Sequence, residues 1–418
     1  MRIERCLRAA LGCLLMVCGV PALAETSPWS LGVSATVTHD DNLFRAPPDL
    51  AVSDRYTTLA LFGGLDETIS RQHLQASAAL RDNRYDTRSD LDYRGYSLQL
   101  GWNGSTAGPL SWTLSYTANR NLATFGSVLT PEQRVANIET SRQAAAGLQF
   151  GLVSQWVASL SLSHRTLDYS AAAFVRDDFD QDSVGLGLQW RPLGPLSVTF
   201  GPRATRGRLP NAKTLADGSV EADGFDRHDL GLTLDWAASG ASQVGARLSH
   251  SRQRYNLLSD RDFSGATGQL TWQWQATGLT SVAATLSRDT GSETSFFTVQ
   301  SLGQTLRGTG DTSQLSTNLY LGVSRLLTGK TSLDLNAQYA ERHLVSSSRL
   351  DGGSGAVDLG GPAGNERSAS LSLSLRHSPS RGTQLACQLG HGRRGEVPGL
   401  SLAYRYTTMA CSGQLTLQ

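Results

Sequence analysis

Arginine is the residue type in this chain best suited to act on something that passes it. Seven arginines, Arg81, Arg165, Arg203, Arg247, Arg342, Arg376 and Arg405, fall at positions whose parity marks them as inward-facing or near a mouth. They outnumber Asp66, Asp235, Asp289 and Asp334, the acids at equivalent positions. A guanidinium presents a planar fork of donors that fits carboxylate and phosphate, and a low-dielectric wall focuses its field on an anion. A balanced lining, with acidic loop residues neutralising the arginines, is the alternative reading.

Other arginines sit beside tyrosines where loops begin: Arg84 with Tyr85, Arg165 with Tyr169, and Arg254 with Tyr255. Such pairs form a surface for carbohydrate, or an outer girdle in which arginine meets lipopolysaccharide phosphate. Catalytic chemistry has no comparable signal. The eight histidines are scattered, and neither H-E-x-x-H nor G-x-S-x-G occurs. No catalytic residue, cofactor or metal is nominated, and the chain reads as a non-enzyme. His39-Asp40-Asp41-Asn42 has the oxygen donors of a divalent-cation site, but capping a strand end is the simpler role. Cys387 and Cys411 lie equidistant from Gly399 in the last expected hairpin. A cross-strand disulfide suits an exported chain; two small apolar wall residues is the other reading.

The elements that must position these side chains are strands. Arg2, Arg5 and Arg8 precede the apolar run Ala9 to Val20 and the small-residue site Ala22-Leu23-Ala24, a secretory signal with cleavage expected after Ala24. Beyond it no apolar run reaches the roughly 18 residues of a membrane helix. Instead, residues alternate with period two. Leu110, Trp112, Leu114 and Tyr116 interleave with Ser111, Thr113 and Ser115, and Leu371, Leu373 and Leu375 with Ser370, Ser372 and Ser374. One face is greasy and the other is hydrophilic but mostly uncharged, the pattern of a membrane-spanning strand.

Eight short connections rich in Gly, Pro, Asn and Ser alternate with nine long polar ones such as Arg203 to His228, Ser287 to Thr312 and Glu341 to Arg367. This rhythm predicts an all-β, up-and-down antiparallel transmembrane barrel over 25–418, with eighteen strands and sixteen as the alternative count. All eight tryptophans fall near a short turn or the first strand start, on the apolar parity. Indole concentrates where acyl chains meet headgroups, so they predict a periplasmic aromatic girdle. The segment Ser412 to Gln418 alternates throughout, as a substrate of the barrel-assembly machinery would, although a terminal Gln departs from the usual aromatic ending. The balance of 37 basic against 36 acidic residues excludes a nucleic-acid partner.

Three N-terminal segments carry a resemblance: His39-Asp40-Asp41-Asn42-Leu43-Phe44-Arg45, Asp82-Asn83-Arg84-Tyr85-Asp86 and Leu91-Asp92-Tyr93-Arg94-Gly95-Tyr96. Together with the Cys411 to Gln418 ending, they resemble the EpsL-type outer-membrane barrels encoded with exopolysaccharide biosynthesis operons. The resemblance implies a porin-like barrel in a Gram-negative outer membrane that takes part in polysaccharide export. It also implies, as partners, the polymer, the periplasmic export machinery and outer-membrane lipid. A general or anion-selective diffusion porin, or a plugged barrel whose loops bind surface glycan, are the competing expectations.

Overall fold

The computed structural model describes residues 27–123, 125, 135–151, 154–172, 174–214, 219–257, 262–290, 295–301, 304–310, 315–345, 349–352, 355–358, 363–398 and 401–417. The signal segment 1–24 with its expected cleavage site lies outside them, as do Gly399 and Gln418.

The alternating segments become β1 (Trp29–Asp40), β2 (Asp54–Ile69), β3 (Gln72–Tyr85), β4 (Tyr93–Ser105), β5 (Leu110–Leu122) and β6 (Ile138–Phe150). They continue as β7 (Trp156–Tyr169), β8 (Phe179–Leu193), β9 (Leu196–Thr214), β10 (Val220–Ser239), β11 (Ser242–Tyr255), β12 (Phe263–Thr277) and β13 (Thr280–Asp289). A separate hairpin, β14 (Ser295–Ser301) and β15 (Gln304–Gly310), precedes β16 (Ser316–Thr328) and β17 (Thr331–Val345). Another, β18 (Arg349–Gly352) and β19 (Gly355–Asp358), precedes β20 (Ala363–Ser380), β21 (Thr383–Arg394) and β22 (Tyr404–Leu417).

Among the described residues, eighteen of these strands form one antiparallel sheet. Strand β1 pairs with β2 on one side and with β22 on the other, from Leu31↔Leu417 to Asp40↔Thr408, so the ring closes. Closure leaves the sheet without a free edge strand, which is what a strand structure needs to stand in lipid. Beyond the strands there are single 3-10 turns at Pro48–Leu50, Ser89–Leu91 and Val175–Asp177, and no described helix is long and apolar enough to cross a membrane.

Register fixes which way each side chain points, because opposed residues share a face. Val33↔Leu61, Leu61↔Leu80, Leu162↔Val184, Leu232↔Leu248 and Leu335↔Leu373 run around the ring as one outward apolar layer. These side chains are exposed, up to 65% for Leu248, as a surface solvated by acyl chains must be. Inward positions hold Ser, Thr, Gly, Asn and Gln, as in Ser159, Ser161 and Ser163 of β7 or Thr267, Gln269 and Thr271 of β12.

The eight tryptophans all take the outward parity near the tight-turn end. Trp156 stacks on Trp190 at 6.1 Å, Trp272 on Trp274 at 5.5 Å, and Trp102 meets Trp112 edge-on at 5.9 Å. The girdle expected from the sequence is therefore present at one rim. At the other rim the outward positions turn charged, with Arg84, Arg94, Arg206, Arg254 and Arg367.

On β20 the apolar layer runs from Ala369 to Leu375, between Arg367 and His377, so Leu373 is near its middle. Leu373→Arg should cost about 2–4 kcal/mol in lipid vesicles, as measured for arginine at the bilayer midplane. Ser372→Arg, facing the lumen, should cost far less. Equal costs in urea titrations would show that the facing is wrong.

Strands overrun the membrane at the long-loop end. The connection expected from Arg203 to His228 is largely β9 and β10, paired out to Val220↔Thr214. The connections Ser287 to Thr312 and Glu341 to Arg367 each contain a small hairpin of their own.

Candidate functional site

Six of the seven expected arginines take the lumen-facing parity. Arg81 on β3 donates to Ser97 Oγ at 3.2 Å. Arg165 on β7 is buried, with its guanidinium 4.9 Å from the Phe179 ring, and Arg203 and Arg247 face inward on β9 and β11. Arg376 donates to Asp334 at 3.1 Å. Arg342 lies 3.5 Å from Glu366, whose other oxygen is 3.5 Å from Arg394.

Arg405 is the exception. It pairs with Arg393 in the same outward column as Leu389↔Met409, so it stands on the outer rim and not in the lumen. With Arg342 and Arg376 held by acids, the positive bias expected of the lining is smaller than the count of arginines suggested.

A buried ionic network absent from the sequence reading sits where β10 overruns the membrane. Arg227, 1% exposed, donates through Nε to Asp229 Oδ1 at 2.9 Å and through Nη1 to Asp289 Oδ1 at 3.3 Å. It also reaches Thr290 Oγ1 at 3.0 Å and Ser251 Oγ at 3.1 Å. Its signal was available: Arg227 and Asp229 share one face of a strand, but that stretch read as loop.

The mouth at the same end is filled on one side by residues 41–53. Asn42 Nδ2 donates to Ala46 O at 2.7 Å and Arg405 O at 2.8 Å, while its Oδ1 accepts from Ala46 N at 2.9 Å. Arg45, in the left-handed region at φ 55°, donates to Asp40 Oδ1 at 2.8 Å and lies 3.7 Å over the Tyr406 ring. This fold drives Leu43 and Phe44 into a cluster with Tyr85, Leu91 and Phe125, flanked by Tyr56 and Tyr93. Tyr56, Tyr85 and Tyr93 are inward positions of β2, β3 and β4, so the segment docks on the inner wall. All three segments that carry the family resemblance thus meet in one assembly.

Asp40 and Asp41 act as caps there, Asp41 Oδ1 accepting from Thr407 N at 2.6 Å. Among the described residues no three His, Cys, Asp or Glu are placed to hold a metal.

Two of the three expected arginine–tyrosine pairs are split between faces, whereas Arg165 and Tyr169, four apart on β7, share the inward one. Neighbours on a strand point to opposite faces, so Arg84 and Arg254 lie outside while Tyr85 and Tyr255 turn inward. Tyr85 packs at a tilt against Tyr56 at 4.8 Å, Tyr255 against Phe225 at 5.2 Å, and Tyr169 near Phe174 at 6.4 Å.

These tyrosines belong to a clamp that recurs every four strands. The backbone N–H groups of Tyr85, Tyr169 and Tyr255 donate to Asp92 (2.8 Å), Asp178 (2.7 Å) and Asp262 (2.8 Å), each just before the next strand. Across the hairpin, Asp54 accepts from Thr87 N at 3.1 Å and Arg88 N at 3.0 Å, Asn137 from Ala171 N at 3.1 Å, and Asp223 from Leu257 N at 2.9 Å. Burial pushes the Asp178 carboxyl above its ordinary range, whereas the Arg88 guanidinium holds that of exposed Asp90 below it.

Asp54→Ala strands two loop donors at roughly 1–3 kcal/mol each where buried. Trypsin should then cut after Arg88 in the folded barrel. Cleavage no faster than in the parent would remove the clamp's role.

Cys387 and Cys411, directly opposed with Cα atoms 4.1 Å apart, form a disulfide on the outward face of β21 and β22.

Closed pairing, an apolar exterior and a hydroxyl- and amide-lined interior define a transmembrane β-barrel of the outer-membrane type. No protein-family model matches the chain, and no curated protein matches it in sequence. Its coordinates are similar to the outer membrane protein OpdK from Pseudomonas aeruginosa, at 10% identity and TM-score 0.44, over 93% of this chain and 99% of that one. They are also similar to OccAB3 of Acinetobacter baumannii (10%, TM-score 0.43, 93% and 99%). A third likeness is to unliganded ferric citrate transporter FecA (11%, TM-score 0.44, 94% and 79%). At TM-scores below 0.5 these likenesses carry no weight for function, and the strand pairing establishes the barrel by itself.

Proposed function

We propose that this protein is an outer-membrane, porin-like conduit that takes part in exporting an extracellular polysaccharide. The observation that carries the reading is the inner wall: a closed ring of Ser, Thr, Gly, Asn and Gln in which Arg227, Arg342 and Arg376 are each held by an acid. Such a wall offers hydrogen bonds to a hydrated polymer without a strong counter-charge to arrest it. The polysaccharide itself comes from the resemblance of the N-terminal segments, and the convergence of those segments on the mouth supports it. Tight turns face the periplasm and the export machinery, with the charged rim among lipopolysaccharide headgroups.

Deletion of the gene should leave nascent polymer in the periplasm. Secreted polymer unchanged in amount and length would end this reading. A general diffusion porin is the alternative, favoured by the inward facing of Arg81, Arg165, Arg203 and Arg247. Wide ohmic conductance in planar bilayers, with no block by polymer, would select it.

A further inference from the structure

The inner wall carries a recess of about 460 Å³ at the tight-turn end, between β11–β13 and β16–β17. Its back is formed by Tyr320, Asp334 and Asn336, all buried, and its rim includes Gln269, Gln273 and Gln275. Gln273 and Gln275, two apart on β12, share the lumen face and are exposed to it.

Two features set what this recess can hold. The first is charge. Asp334 is the only side chain among the lining residues that is charged at neutral pH, and Arg376 holds it at 3.1 Å, so the recess presents no net charge to a ligand. A charged guest would shed hydration there and gain no counter-ion. The second is an unspent donor. Tyr320 OH donates to Asn336 Oδ1 at 2.5 Å, which orients the amide and leaves Nδ2 of Asn336, a residue 9% exposed, without a hydrogen-bond partner. A buried amide donor left unpaired is costly, and a ligand oxygen would satisfy it.

Amides and hydroxyls around a neutral, preformed cavity match a guest that is itself neutral and rich in hydroxyls. We propose that this recess is a binding subsite for an uncharged saccharide unit, with Asn336 donating to it and Gln273 and Gln275 gripping it from the rim. The assignment deepens the conduit reading and rests on it for access from the lumen.

The test is equilibrium binding to the full detergent-solubilised barrel, with end-labelled maltohexaose, mannohexaose and cellohexaose as neutral probes and oligogalacturonate as the anionic one. High-molecular-weight dextran reports whether a unit inside a polymer is also held. At least one neutral hexasaccharide should bind saturably. Asn336→Leu should weaken that binding about tenfold, the loss expected for one good hydrogen bond of about 1.4 kcal/mol. Gln273→Leu with Gln275→Leu, at exposed positions that leave folding intact, should weaken it at least as much, and Gln143→Leu on β6 should not. The proposal falls if no neutral probe binds, if oligogalacturonate binds more tightly, or if the double glutamine variant binds unchanged. Saccharide binding by a barrel that conducts nothing would overturn the conduit and leave the subsite standing. Conductance and export without any such binding would do the reverse.

Discussion

Arg227→Met should destabilise the barrel by about 3–5 kcal/mol, the loss seen when one partner of a buried ionic network is removed. The cost arises because Asp229, with a side chain 3% exposed, keeps its charge and loses its donor. Lysine should rescue little, since a single ammonium cannot reach Asp229, Asp289, Thr290 and Ser251 from one planar fork. Pairing Arg227→Met with Asp229→Asn should recover much of the loss, because neutralising both partners removes the orphaned charge. Urea unfolding in lipid vesicles, followed by the fluorescence of the tryptophan girdle, reads all three. A midpoint for Arg227→Met equal to that of the parent would show that the network does not hold the long-loop end together.

Phe44→Ala should free the docked segment 41–53 while leaving the strands in place. Phe44 is fully buried, its ring meeting Phe125 edge-on at 4.8 Å with the Arg88 guanidinium 4.6 Å from its face. Truncating such a ring costs about 3–5 kcal/mol, more than a hundredfold in the docking equilibrium at 1.4 kcal/mol per decade. Single-channel records should gain a larger, fluctuating conductance state, with circular dichroism unchanged. Identical records would mean that the segment is held by Asn42 and Arg45 alone, or that it does not limit the opening.

Much of the architecture was legible because lipid imposes a strict rule. Each spanning strand must show carbon on alternate residues, so Leu371, Leu373 and Leu375 declare their facing without any partner being known. Turn residues such as Gly240, Gly278 and Gly329 mark where the chain reverses, and eighteen strands follow. The rule fails where lipid ends. Beyond the apolar layer β9 and β10 continue with charged residues on both faces, so their ends, and Arg227 with them, read as loop. It inverts where the interior is not wet. Around the docked segment the inward positions are Tyr56, Tyr85, Tyr93 and Tyr406, aromatic because they pack on Phe44 or beneath Arg45. Arg405, between Tyr404 and Tyr406, has no aliphatic neighbour on its strand to mark its facing, and it stands outside. The saccharide recess was invisible for another reason: its parts come from five strands, and the orientation of Asn336 depends on a hydroxyl sixteen residues away.

The disulfide of the last hairpin carries an order of events. Its sulfurs share a column with Leu385, Leu389 and Met409, on the side that acyl chains will cover. Thiol oxidation proceeds through a thiolate, and hydrocarbon does not tolerate that ion. The bond between Cys387 and Cys411 must therefore be made while the hairpin is still in water, before the cylinder closes onto β1. Once closed, it is shielded from any reductant dissolved on either side, a staple set during transit and sealed on arrival.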